Sequence, residues 1–151
     1  MTASGAWTWQ GFSELTTRDL YEILSLRAAI FILEQDCVYL DPDGMDPDAV
    51  HCSYREGGRL LAYQRCLGPG VAFAESSIGR IVVSKHARGR DLGRELVRRG
   101  VEYNLKTWPQ HAIRIGAQAY LSSFYESMGF VSEQDHYMED GIEHVHMRLE
   151  G

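Results

Sequence analysis

The sequence predicts a mixed α/β fold, a largely antiparallel sheet flanked by helices and closed by a C-terminal β-hairpin. Three observations predict it. Apolar residues recur at helical spacing over Leu20–Phe31 and Leu92–Leu105; β-branched and apolar runs bounded by glycines and polar clusters fill Arg59–Leu67, Ile78–Ser84 and Ala112–Gln118; and Asp140-Gly141, a strong two-residue turn signal, separates two further strand-like segments.

Thr16-Thr17-Arg18-Asp19 has the S/T-x-x-acid form of a helix cap, so a first helix should run from Thr17 toward Glu34 with Leu20, Ile23, Leu24, Arg27, Ala28 and Phe31 at helical spacing. Glu34 to Asp48 follows, with six carboxylates, no basic residue, two prolines and a glycine; it reads as a loop or a broken helix. Arg59–Leu67 and Ile78–Ser84 are then two strands of a hairpin, and Arg88 to Lys106 a second helix that Trp108-Pro109 ends. Ala112–Gln118 is a strand, Leu121–Met128 a short helix closed by Gly129, and Phe130–Met138 with Glu143–Leu149 the strands of the final hairpin. No repeat, low-complexity tract or linker divides the 151 residues, so 1–151 is expected to form one domain.

Composition excludes several functions. The longest all-apolar run is the six residues Ala28–Leu33, far short of a membrane span or a signal-peptide core, so a cytoplasmic location without a membrane partner is the expectation. Cys37, Cys52 and Cys66 are odd in number and lack metal-site spacing, which argues against a disulfide framework or a zinc ribbon. A net charge of −6 gives no global reason to seek nucleic acid, and no aromatic residues interleave the arginines for base stacking. The charge is uneven, however. Seven basic residues against two acids lie between Arg80 and Arg99, which suggests a phosphate-bearing ligand held at one place, while the acidic Glu34–Asp48 stretch favours a cationic second ligand.

The informative segment is Ile78–Leu96, a strand followed by a glycine-punctuated loop that opens a helix. The first N–H groups of a helix have no intrahelical partner and sit at the positive end of its dipole, so an anion binds there; glycines let it approach the backbone and arginines add charge-assisted contacts. The loop lacks the G-K-S/T of a P-loop and the dinucleotide G-x-G-x-x-G. Two patterns, one of carboxylates and one of histidines, bear on metal binding. Asp41-x-Asp43-Gly44-x-Asp46-x-Asp48 has its glycine at the wrong place for a calcium loop, and His144-x-His146 with His136 has no carboxylate or thiol at matching spacing, so no metal is expected.

Val83-x-x-x-x-Arg88-Gly89-x-x-Leu92-Gly93 resembles the acetyl-CoA loop, Q/R-x-x-G-x-G/A, of the GCN5-related N-acetyltransferases (GNAT), and Phe124-Tyr125-Glu126-Ser127-Met128-Gly129-Phe130 is similar to their C-terminal F-Y-x-x-x-G-F signature. Arg27-x-x-x-Phe31-x-x-Glu34-Gln35, Gly116-Ala117-Gln118-Ala119 and Glu139-Asp140-Gly141-Ile142-x-His144 resemble the ElaA-like branch, so the likeness spans residues 7–149. One position departs: Asp91 stands where the general loop has its middle glycine, and its side chain is expected to point to solvent or to Arg94.

The resemblance implies a GNAT-type sheet with splayed central strands and transfer of an acetyl group from acetyl-CoA to an amine of a small molecule or lysine side chain, by direct attack and with no metal. It implies that the pantetheine arm pairs with the backbone of Ile81, Val82 and Val83, that Arg88, Gly89, Arg90, Asp91, Leu92, Gly93 and Arg94 hold the pyrophosphate, that the Val83 N–H faces the thioester oxygen, and that Tyr125 protonates the departing thiolate. Glu34, Gln118 and His144 are the expected acceptor contacts. Glu34 is the first choice as base, with His144, His51 and a water chain left open. Tyr125 has a second reading as a core aromatic, and the chain a second reading as a non-catalytic acyl-CoA-binding or regulatory module. The fold also leaves room for a homodimer through its C-terminal strands.

Overall fold

A computed structural model describes residues 5–151. The chain opens with β1 (Gly5–Gly11) and α1 (Thr17–Arg27), then runs through β2 (Ala49–Glu56), β3 (Arg59–Leu67), β4 (Ser77–Val83), α2 (Leu92–Thr107), β5 (Ile113–Gln118), α3 (Ser122–Ser127), β6 (Val131–Ser132), β7 (Tyr137–Glu139) and β8 (Ile142–Leu149). The mixed α/β class, the flanking helices and the C-terminal hairpin are as the sequence predicts. β1 and β2 are not read from the sequence, and the physical reason lies in their inward positions. β2 buries His51 and Ser53 where an apolar pattern is looked for, and β1 is a sheet edge that buries none of its residues.

The strands form two antiparallel sheets, β1-β2-β3-β4 and β5-β8-β6, with β7 pairing to β8 beyond β6. β3 is covered on both faces: Tyr63 packs toward Ile23 of α1, and Ala62 toward Leu96 of α2. A larger apolar cluster, including Val97, Ile113, Phe130, Val145 and Met147, joins α2 to the second sheet. Among the described residues one backbone bridge joins the two sheets. Ser76 donates to Ala112 O at 3.1 Å and accepts from Arg114 N at 2.8 Å, and beyond that bridge β4 and β5 diverge. The splayed strands implied by the GNAT resemblance are present.

Three boundaries differ from the predicted ones. α-Helical bonding in the first helix stops at Arg27, and Ala28–Glu34 continues as a wider π-helical turn in which Gln35 N donates to Ile30 O and Cys37 N to Ile32 O, five residues back. Arg27 is fully buried and held by Asp41 and Asp46, which pins that turn inward. The second helix starts at Leu92 instead of Arg88, because Gly89 (φ +81°) and Asp91 (φ +59°) take left-handed backbone that a helix cannot use. The strand expected over Phe130–Met138 is broken in two. Gln134 has φ +59°, and Asp135 takes the ladder's place by accepting from His146 N at 3.0 Å.

Candidate active site

Below the Ser76 bridge the gap between β4 and β5 is a cavity of about 520 Å³, walled by Ile78–Val83, by Ile115–Gln118, by the π-helical turn and by the β7–β8 hairpin. Alternation along β4 sets what faces it. Ser84 N donates to Leu61 O at 2.8 Å, so every second N–H points at β3, and those of Val83 and Ile81 point the other way, into the gap. β4 therefore offers an unpaired strand edge, a surface that an extended, amide-bearing chain can pair with. Arg80, with φ +48°, sits in the register shift where β4 bends away from β3.

A second cleft of about 320 Å³ adjoins the first at Val83 and Arg88 and is lined by Gly89, Asp91, Leu92 and Gly93. Among the described residues, the N–H groups of residues 88–91 donate to no backbone or side-chain acceptor, and those of Leu92–Arg94 begin the helix. A side chain added at Gly89 or Gly93 would meet nothing within 4 Å, so the cradle is open to a ligand. Asp91 makes no capping bond, its side chain is largely exposed, and its nearest cation is Arg94 at 3.8 Å. The donor set fits the pyrophosphate of a nucleotide-like co-substrate, and the β4 edge fits an amide-bearing arm attached to it.

The arginines of this segment have partners within the protein. Arg88 is bound to Glu34, Arg90 to Glu56 by two hydrogen bonds of 3.1 and 2.6 Å, and Arg94 donates to Ser127 Oγ and lies over the Phe124 ring at 5.5 Å. Arg88 and Arg90 are thus paired with carboxylates, and the backbone N–H groups of the loop are donors without a protein partner among the described residues. The same pairing corrects the expectation that the Glu34–Asp48 carboxylates present negative charge to a ligand. Arg27 holds Asp41 and Asp46, Arg65 holds Asp43 and Asp46, and Arg80 lies 2.8 Å from Asp41 and 3.4 Å from Asp43. Burial opposes the charged form of Asp43 and Asp46, but the hydrogen bonds from these arginines outweigh it and hold both carboxyls below the usual range.

Tyr125 is buried on α3, edge-on to Phe124 and Phe130, and lines the large cavity. Its hydroxyl meets no hydrogen-bond partner among the described residues, and burial, with the nearby Tyr120, pushes its pKa up to about 12. Glu34 lines the same cavity, but the hydrogen bond from Arg88 holds its carboxyl below the usual range, so it is neither free nor basic in the way an unpaired Glu would be. Gln118 lines the wall and donates to Gln35 Oε1 at 3.2 Å; His144, its register partner on β8, lines the wall too. His51 lies away from the cavity, fully buried, between Tyr63 Oη at 2.7 Å and Asp46 O at 3.0 Å; a carbonyl only accepts, so Nε2 carries the proton. Glu133, Asp135 and His146 come within 4.8 Å of one another, a closeness that sequence spacing does not reveal, but Glu133 is bound to Arg114 and Asp135 to His146.

A family model described as an acetyltransferase (GNAT) domain matches residues 45–151. The chain is 39% identical to the protein ElaA of Escherichia coli over 146 residues, covering 94% of this chain and 95% of that one, and 38% identical to a UPF0039 protein of Synechocystis over 142 residues, covering 93% and 92%. Its fold is similar to the crystal structure of an acyl-CoA N-acyltransferase from Pseudomonas aeruginosa, with a TM-score of 0.91, 38% identity and coverage of 97% and 99% of the two chains. The crystal structure of Escherichia coli ElaA superposes with a TM-score of 0.90 at 37% identity, covering 97% and 100%. With a strand gap, a glycine-lined helix entry and relatives along nearly its whole length, the chain belongs to the GNAT acetyltransferase family, in its ElaA-like branch.

Proposed function

We propose that this chain is an acetyl-CoA-dependent N-acetyltransferase, folded as one cytoplasmic domain, that acetylates an amine of a small molecule or a lysine side chain. The observation that carries the reading is the continuity of two free donor sets: the unpaired β4 edge at Ile81 and Val83 runs into the open N–H cradle of Gly89–Gly93. In this reading the cradle holds the pyrophosphate and the β4 edge holds the pantetheine arm. The Val83 N–H then meets the thioester oxygen, where negative charge develops as the amine attacks. Tyr125 gives its proton to the sulfur as the C–S bond breaks; a hydroxyl with no protein partner, kept neutral by burial, suits an acid that acts only at that moment. Acetyl-CoA supplies the activated acetyl group and no metal takes part.

Calorimetry with acetyl-CoA, followed by thiol release over a panel of amines, tests this. Binding with release from at least one amine is expected. No binding at high protein concentration would remove the reading, and binding without release from any acceptor would favour a non-catalytic acyl-CoA-binding module.

A further inference from the structure

The β7–β8 hairpin brings a histidine and a carboxylate together on the cavity wall in an unusual way. His144 Nδ1 lies 2.8 Å from Ile142 O, and because a carbonyl oxygen only accepts, Nδ1 carries the proton and the neutral ring's lone pair is on Nε2. Glu139 Oε2 lies 3.6 Å from that Nε2. In that neutral form two acceptors face each other with no donor between them. The ring is buried and stacks on Tyr137, whose own ring also stacks on His146.

The surroundings leave that end of the cavity negative. The cations that line it are both paired, Arg80 with Asp41 and Asp43, Arg88 with Glu34. Tyr39 and Tyr125 are pushed up to about 12 by burial and stay neutral, and the Cys37 thiol donates to Asp140 O. Tyr137 is raised as well, and His146 is bound to Asp135. Glu139 and Asp140 remain as the lining carboxylates that no Lys or Arg reaches among the described residues.

We propose that His144 and Glu139 receive the acceptor's ammonium group, Glu139 docking the cation and His144 Nε2 removing its proton. The inference rests on the acetyl-transfer reading and names its acceptor as a primary amine that arrives protonated. The protons balance. R–NH3+ gives one proton to Nε2, and the freed lone pair forms the N–C bond. The C–S bond breaks with the Tyr125 proton going to sulfur, and the second nitrogen proton returns to the Tyr125 oxygen. His144 then loses its proton to water.

His144→Asn keeps a donor where Nδ1–H meets Ile142 O and removes the Nε2 lone pair together with the rest of the ring and its stack on Tyr137. With acetyl-CoA and a panel of primary alkylamines, we expect kcat/KM for the amine to fall by about 10² to 10⁴ while the calorimetric affinity for acetyl-CoA is unchanged. The variant's rate should keep climbing with pH where the wild type has levelled, since only amine already deprotonated in solution can react. Glu139→Gln should raise the amine KM with little change in kcat. A His144→Asn enzyme with the wild-type kcat/KM and pH profile overturns the proposal while leaving acetyl transfer intact. If the wild type acetylates nothing, the histidine 15N resonances in the acetyl-CoA complex still decide: a His144 Nε2 signal that n-butylammonium chloride does not move overturns the docking site.

Discussion

The guanidinium of Arg88 closes on the carboxylate of Glu34 in a two-pronged ion pair, Nη1 to Oε1 at 2.6 Å and Nη2 to Oε2 at 2.7 Å. It ties the end of the π-helical turn to the entry of the phosphate cradle. Both side chains are nearly half-exposed, so solvent screens the pair and a pyrophosphate can compete for the arginine. Glu34→Gln frees Arg88 and should lower the acetyl-CoA KM by about two- to five-fold. Arg88→Ala should raise that KM with little change in kcat, since a contact made equally in ground and transition states is lost. Steady-state kinetics check both; a collapse of kcat in Glu34→Gln would instead make Glu34 the base.

Tyr125→Phe isolates one hydroxyl. The ring keeps its edge-on contacts with Phe124 and Phe130, and no protein hydrogen bond is broken, so unfolding by urea should shift by less than about 1 kcal/mol. The hydroxyl is needed only as sulfur departs, so kcat should fall by about 10² to 10⁴ at unchanged acetyl-CoA affinity when chemistry limits the rate. A wild-type single-turnover rate would return Tyr125 to the core.

Acid should unfold this protein through its buried ion network. Asp43 and Asp46 have carboxyls held low by Arg65 and Arg27 in the folded chain and ordinary in the unfolded one, so the unfolded state binds more protons as pH falls. His51, lowered by burial, acts in the same direction, since unfolding lets it charge. Stability should therefore be full near neutrality, begin to fall as His51's unfolded-state titration is reached, and fall further below about pH 5 as the aspartates follow. Urea midpoints measured from pH 7 to pH 3 test this, and Asp43→Asn should flatten the acid slope while lowering the neutral plateau.

Gly100 on α2 gives a prediction against helix propensity. Alanine in a helix interior ordinarily stabilises by about 0.5 to 1 kcal/mol over glycine. Here a Cβ would sit 2.6 Å from Gln64 Oε1, and Gln64 is fully buried with its Nε2 donating to Leu96 O at 2.6 Å, so it cannot move aside. Gly100→Ala should destabilise by about 1 to 3 kcal/mol, read from thermal or urea unfolding.

Where one sequence pattern had one physical cause, the fold was legible. The Thr16–Asp19 reciprocal cap and the apolar face of α2 are local, and both are present as read. β2 escaped because His51 behaves as a core residue once Tyr63 and Asp46 satisfy it, a pairing set by how the chain folds back and not by the local pattern. The acidic stretch misled for the same reason. Its charges are visible in the sequence, but the arginines that neutralise them come from α1, β3 and β4. At the site, glycine spacing marked the cradle, whereas the facing of His144 and Glu139 depends on the register of a hairpin and on which ring nitrogen the Ile142 carbonyl claims.

The single bridge at Ser76 has a consequence for descent with modification. The cradle and the β4 edge belong to the first sheet and α2, whereas Gln118, Glu139 and His144 belong to the second sheet and its hairpin, and among the described residues only Ser76 pairs the two backbones. Substitutions around the hairpin can accumulate without altering the register of β4 against β3. A lineage could thus exchange one acceptor for another while inheriting its grip on the acetyl donor unchanged.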